Sequence, residues 1–179
     1  SEAVQQLAIC VLTIAFKDES ALTSTLLDSN FANCLSKLLE GNIAVDSLRL
    51  LGMISLQTDG AIFIENEKLI SLVVKKLETS ESPEVKTMAM AVLAAFSSQY
   101  PFSQPAIDSL PLFFDAIEKN IGGEYPLIFI SNMAVNPKAA VKIISKLDYL
   151  TKILSGDDEE NSSRALVAIQ RTTASPEAS

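Results

Sequence analysis

The chain has 179 residues, is 48% hydrophobic, and carries a net charge of −8 with a pI near 4.6. An acidic chain without a clustered basic patch is repelled by nucleic acid and by anionic membrane surfaces, so both are excluded as partners. Mean hydropathy is high at +0.28, yet the longest unbroken apolar run, Met88 to Phe96, is too short to cross a bilayer as a helix.

In chain order, the first predicted element is a helix over residues 2–16 carrying the triplet Ile9/Leu12/Ala15, spaced i, i+3, i+6. "SEAVQQ" has no basic flank before its apolar part, so no secretory leader is read there. A short segment, "SALTSTLLDSN", leads to an apolar pair four residues apart, Leu35/Leu39, and "EGN" (40–42) breaks the pattern. The triplet returns as Leu50/Met53/Leu56 before "TDG" (58–60). "GAIFIEN" precedes the pair Val73/Leu77, and "ESP" (81–83) offers Ser82 as an N-cap with Pro83 at the first helical position. The next triplet is Met90/Leu93/Phe96. After "PFSQPAIDS" come the pair Phe113/Ile117 and the break Gly122–Gly123, then the triplet Leu127/Ile130/Met133 in a helix holding one amide, Asn132. "NPKAAVKIIS" and the pair Leu150/Leu154 follow. The acidic run Asp157 to Glu160 reads as a helix start, with Asn161 of "NSS" as a cap, because negative charge suits the positive end of a helix. That last helix (about 161–172) bears a weaker triplet, Leu166/Ile169/Thr172, and residues 173–179 read as a polar tail.

Successive triplets start 41, 40, 37 and 39 residues apart, and successive pairs 38, 40 and 37. Two independent patterns therefore share one period, the mark of a repeat architecture. Each unit holds a short helix, a second helix and a third, more apolar helix. One unit cannot bury its faces alone, but stacked neighbours can. The predicted fold is an all-α, right-handed solenoid over residues 1–172: a partial repeat at 1–16, repeats at 20–56, 60–97 and 101–135, and a partial repeat at 137–172. Neither end reads as a polar cap, which leads us to expect further repeats or domains in a longer protein.

The unit resembles the armadillo repeat, a three-helix repeat of about 40 residues. In that family the third helix reads roughly A-L-x-x-L-x-N-L, and "PLIFISNMA" (126–134) is similar from Leu127 onward. "MAMAVLAAFS" matches its apolar positions without the asparagine. "LLDSNF", "FIENEKL" and "AIDSLPL" resemble the family's turn between first and second helices, without its glycine. HEAT repeats have a similar length, so the subtype stays open between the two.

The resemblance implies that third helices line a concave binding face, on which an asparagine ladder flanked by tryptophans holds extended peptides. Asn132 falls at the ladder position, whereas the aligned residues are Ile14, Ser55, Ala95 and Thr172, and the chain has no tryptophan. An import-receptor role of carrying basic peptides is therefore disfavoured. Asn132 itself is either a tie to a loop or neighbouring repeat, or a ligand contact. The concave rows are Cys10/Leu51/Ala91/Ile128/Ala168 and Ile14/Ser55/Ala95/Asn132/Thr172. Their small and aliphatic residues suit either burial between layers or a hydrophobic groove for an amphipathic helix. Lys86, Arg49 and Arg164 lie near these helices as solvated cations or as partners for acidic groups.

Catalytic chemistry finds little to work with. There is no histidine, so Cys–His catalysis and Cys/His zinc sites are absent, and Cys10 and Cys34, set among apolar residues, read as buried thiols of a reducing compartment. Six glycines form no phosphate loop, and "DDEE" lacks the alternating ligands and glycine of a calcium loop. A carboxylate-only hydrolase is the enzyme class these residues leave open. The expectation is a non-catalytic, cytoplasmic or nuclear protein-binding scaffold without cofactor or metal. It holds a partner peptide or helix at Leu51, Ser55, Ala91, Ala95, Ile128 and Asn132. An armadillo-type chaperone or co-chaperone is the alternative.

Overall fold

The computed structural model describes residues 1–174 apart from 17, 27, 29, 42 and 157. Among them are thirteen helices and no strand. In chain order these are α1 (Glu2–Ala15), α2 (Glu19–Leu26), α3 (Phe31–Glu40), α4 (Ala44–Ser55), α5 (Thr58–Asn66), α6 (Leu69–Thr79) and α7 (Pro83–Gln99). They continue with α8 (Gln104–Asp108), α9 (Leu110–Glu118), α10 (Tyr125–Met133), α11 (Pro137–Ile144), α12 (Leu147–Leu154) and α13 (Glu159–Thr173). The chain is an all-α solenoid. Among the described residues, no helix is long and apolar enough to cross a membrane.

Local chemistry sets many of the boundaries. Ser82 caps α7, its Oγ accepting from the Val85 amide, with Pro83 at the first helical position. Asn136 caps α11 by accepting from Lys138 and Ala139, and its Nδ2 donates to the Pro101 carbonyl at 3.1 Å, clamping successive units together. Asp158 caps α13 by accepting from the Asn161 amide. The cap is thus the aspartate rather than Asn161, which lies inside the first turn and donates its own Nδ2 back to Asp158. Glu159 and Glu160 occupy that turn, where the helix dipole favours them. Asp157, and the tail from Ser175 onward, lie outside the described residues.

The helices fall in threes: α2–α4, α5–α7, α8–α10 and α11–α13, with α1 as a third helix preceding them. The third helices α1, α4, α7, α10 and α13 form one layer in which each packs on the next. The second helices α3, α6, α9 and α12 cover one side of that layer. Between the two lies the core, where Phe113 of α9 stacks on Phe129 of α10 with centroids 3.8 Å apart. Phe31 links Phe16, which it meets edge-on, to Phe63, on which it stacks, at 5.9 Å to each.

The buried triplets reveal the true phase. Met90/Leu93/Phe96 and Leu127/Ile130/Met133 are buried, and their counterpart in α4 is Leu48/Leu51/Ile54. That is two residues before the expected Leu50/Met53/Leu56, of which Met53 is half-buried and Leu56 is 56% exposed. α4 carries leucines at 48, 50 and 51, so an i, i+3, i+6 template fits it at two phases. A row of hydroxyls settles the matter. Thr13, Ser55, Ser97 and Thr172 each donate back to their own helix, to the carbonyls of Ile9, Leu51, Ala94 and Ala168 at 2.7–2.9 Å. Ala134 takes that place in α10, giving steps of 42, 42, 37 and 38 residues.

Two further expectations are corrected. Cys10 and Cys34 are exposed free thiols: α1 packs on one third helix, α4, and Cys34 lines an open groove between α1 and α3. In the terminal triplet Leu166 is 41% exposed and Ile169 half-buried, while Ala165, Ala168 and Thr172 make the buried contact.

Candidate protein-binding face

The second helices cover one side of the third-helix layer, and the opposite side is free. The phase fixed by the hydroxyl row identifies what lies there: positions i, i+3, i+7 and i+10 of each third helix. These are Val4/Leu7/Val11/Ile14 in α1, Asp46/Arg49/Met53 and the C-cap Leu56 in α4, and Met88/Ala91/Ala95/Ser98 in α7. α10 contributes Tyr125/Ile128/Asn132 with Val135 just beyond it, and α13 Ser163/Leu166/Gln170/Thr173. None of these twenty residues is buried. Helical periodicity accounts for the pattern, since these positions share one side of a 3.6-residue helix.

Four of the six residues expected on this face are on it. Ala91, Ala95, Ile128 and Asn132 are half-buried members of the two central rows. Leu51 and Ser55 are fully buried. The phase shift explains them: Leu51 belongs with Leu93 and Ile130 in the core, and Ser55 with Ser97 in the hydroxyl row. The residues that share rows with Ile128 and Asn132 are Arg49 and Met53. Cys10, Ala168 and Thr172 also leave the face on this phase. Sequence reading missed Val4, Leu7, Val11, Leu56, Val135 and Leu166, and the signal was available in α1, whose apolar residues recur at i, i+3, i+7 and i+10 beside Ile9 and Leu12.

Asn132 has a defined job. Its Nδ2 donates to the Ala94 carbonyl at 3.2 Å and to Ser97 Oγ at 3.3 Å, joining α10 to α7. One step along, Arg171 donates to the carbonyl of Ser131, the position equivalent to Ala94, at 3.0 Å. A cation at the carboxyl end of α10 is favoured by the helix dipole. Arg164 holds Glu124 and Glu160 together, bridging α13 to the start of α10.

Charge on the face is sparse and mostly closed on itself. Arg49 Nη1 meets Asp46 Oδ1 at 2.9 Å. Lys86 is off the face: it is half-buried beside a groove of about 260 Å³ between α6, α7 and α9, with Glu78, Asp115 and Lys119. Elsewhere, Lys142 bonds Asp108 at 2.7 Å and ties α11 to α8, and with Gln104 it holds the Asp108 carboxyl below its ordinary value. Burial, then the charge of Glu118, pushes Tyr149 upward. Among the described residues, no three acidic or thiol side chains gather closely enough to hold a metal ion.

No family model and no curated protein matches the chain. Solved structures do. An engineered protein from a structural genomics programme superposes with a TM-score of 0.85 at 20% identity, over 98% of this chain and 75% of its own. A designed armadillo repeat protein in complex with the peptide (KR)4 gives 0.75 at 22% identity, over 93% and 74%. Computationally designed armadillo repeat proteins for modular peptide recognition give 0.73 at 20% identity, over 96% and 76%. With its three-helix units and continuous third-helix layer, the chain has an armadillo-like helical repeat fold.

Proposed function

We propose that this chain is a non-catalytic protein-binding scaffold whose partner lies across the free face of the third-helix layer. The carrying observation is that face itself. It spans the third helices from α1 to α13, and large apolar side chains stay open on it: Leu7 is 65% exposed, Leu56 56% and Val135 49%. Exposed apolar side chains gathered on one face mark interaction surfaces, whereas singly scattered ones do not. Ala91, Ala95, Ile128 and Asn132 form its centre, whereas Leu51 and Ser55 support it from beneath. The designed armadillo protein seen with a peptide has the same fold, which supports a peptide or helix as the class of partner. Two free thiols suit a reducing compartment, and we place the chain in the cytoplasm or nucleus on that ground.

Site-specific photo-crosslinking tests the proposal. A benzophenone side chain at Ala95 or Ile128 captures the partner, and the same group at Asp115, exposed on the far side of the second-helix layer, does not. Equal capture at Asp115, or capture there alone, would move the binding surface to the other side of the solenoid.

A further inference from the structure

We infer that the α1–α4 end of the free face receives an amphipathic α-helix with an aliphatic stripe and a basic outer side, rather than an extended peptide. This rests on the free-face reading above and narrows it to one kind of partner.

Chemistry of the face selects the occupant. An extended peptide presents a backbone N–H and C=O at almost every residue, and each must find a partner when it leaves water. Over α1 and α4 the face offers almost none. Its α1 side chains are Val4, Leu7, Val11 and Ile14, at 64%, 65%, 57% and 68% exposure. α4 adds Met53 and Leu56, and its only ions, Asp46 and Arg49, are closed on each other. The amides of the row, Asn132 and Gln170, lie two and three helices beyond α4, and Asn132 is already donating to Ala94 and Ser97. A helix satisfies its own backbone internally, so it can lie on such a surface and leave no polar group stranded. Charge completes the description. The face is neutral within a chain of net charge −8, so the partner's contacting side is uncharged and its outward side basic.

The test uses the full chain and a synthetic 18-residue helical peptide with leucines at i, i+3, i+4, i+7 spacing and lysine and glutamine elsewhere. Fluorescence anisotropy reads its affinity. The same peptide with two central residues replaced by proline is the non-helical control. The helical peptide binds and the proline peptide binds at least tenfold more weakly. Leu7→Glu and Val11→Glu each weaken the helical peptide at least tenfold. Both sites are exposed, and unchanged circular dichroism shows that the fold is kept. Val141→Glu, at an exposed position of α11 away from the face, changes affinity less than twofold. Raising salt from 50 to 500 mM costs less than tenfold. Loss of all binding at high salt would assign the contact to general negative charge and overturn the inference. So would unaltered affinity in Leu7→Glu. Tighter binding by the proline peptide, with crosslinks still at Ile128, would overturn the helix and leave the scaffold reading standing. A concentration-dependent dimer in sedimentation that Leu7→Glu abolishes would assign the stripe to a second copy instead. Failure of both peptides and of the crosslinks would remove both readings.

Discussion

Truncating Leu51 and Leu56 separately tests the phase on which the face is defined. Leu51 is fully buried in α4, a helix packed between α1 and α7 and covered by α3. Such a site has little room to collapse, so Leu51→Ala should lie well inside the range of about 2–5 kcal/mol for core leucine truncation, near ~3–4. Leu56 is 56% exposed, so less than half of its transfer free energy is at stake, and Leu56→Ala should cost under about 1 kcal/mol. For a chain of this size each kcal/mol moves the melting temperature by roughly 2–4 °C. Leu51→Ala should therefore melt on the order of 10 °C lower, and Leu56→Ala at most a few degrees lower. A solenoid can unfold in parts, so hydrogen exchange at the α4 amides should accompany the thermal melt. Equal losses at the two sites, or a larger loss at Leu56, would refute the phase and with it the assignment of the face.

Three other predictions follow from backbone and charge. A Cβ on Gly60 would stand 2.0 Å from the Ile54 carbonyl oxygen, so Gly60→Ala should destabilise by about 3 kcal/mol or more; at Gly52 the nearest atom is Val92 Cγ2 at 3.8 Å, and Gly52→Ala should stabilise α4 by up to ~1 kcal/mol in the same denaturation series. Lys68 sits in the left-handed region at φ 57° between α5 and α6, where the family's turn carries glycine, so Lys68→Gly should stabilise by about 0.5–1 kcal/mol after the entropy of glycine is discounted, and any loss would count against a strained turn. Because Lys142 and Gln104 lower the folded-state pKa of Asp108, its small stabilising contribution is present above the ordinary carboxylate range and is lost as pH falls through the lowered value. An NMR titration should find Asp108 moved back toward its ordinary value in Lys142→Met, and an unmoved titration would show that the ion pair is not formed in solution.

The period and the class were legible because they depend on which residues are apolar, and that is written along the whole chain. Phase was harder, since it depends on which apolar residue faces which layer. α4 holds leucines at 48, 50 and 51, and α7 is apolar from Met88 to Phe96, so the same template fits at more than one setting. The deciding signal was a row of small hydroxyl residues, Thr13, Ser55, Ser97 and Thr172, whose back-bonds mark equivalent points of successive helices. Tertiary surroundings also overrode local expectation at Cys10, apolar in context yet exposed because it sits at an edge of the layer. Asn132 illustrates a different limit. Its position in the third-helix motif favoured a tie without excluding a ligand contact, and the distance from its amide to the Ala94 carbonyl shows that the tie is made. The aliphatic stripe of α1 was visible as spacing but unreadable as a surface, because sequence does not say which of two apolar sides of a helix has a neighbour.

The most direct test of the free-face account is a methyl NMR titration of the full chain with the helical peptide. Methyl groups of Leu7, Val11, Met53 and Leu56, at the α1–α4 end of the free face, should shift or broaden together. Leu93 and Ile130 in the core, and Ile62 and Val141 among the first helices, should stay in place. Shifts confined to Ile62 and Val141, with Leu7, Val11 and Met53 unmoved, would contradict binding on the third-helix layer.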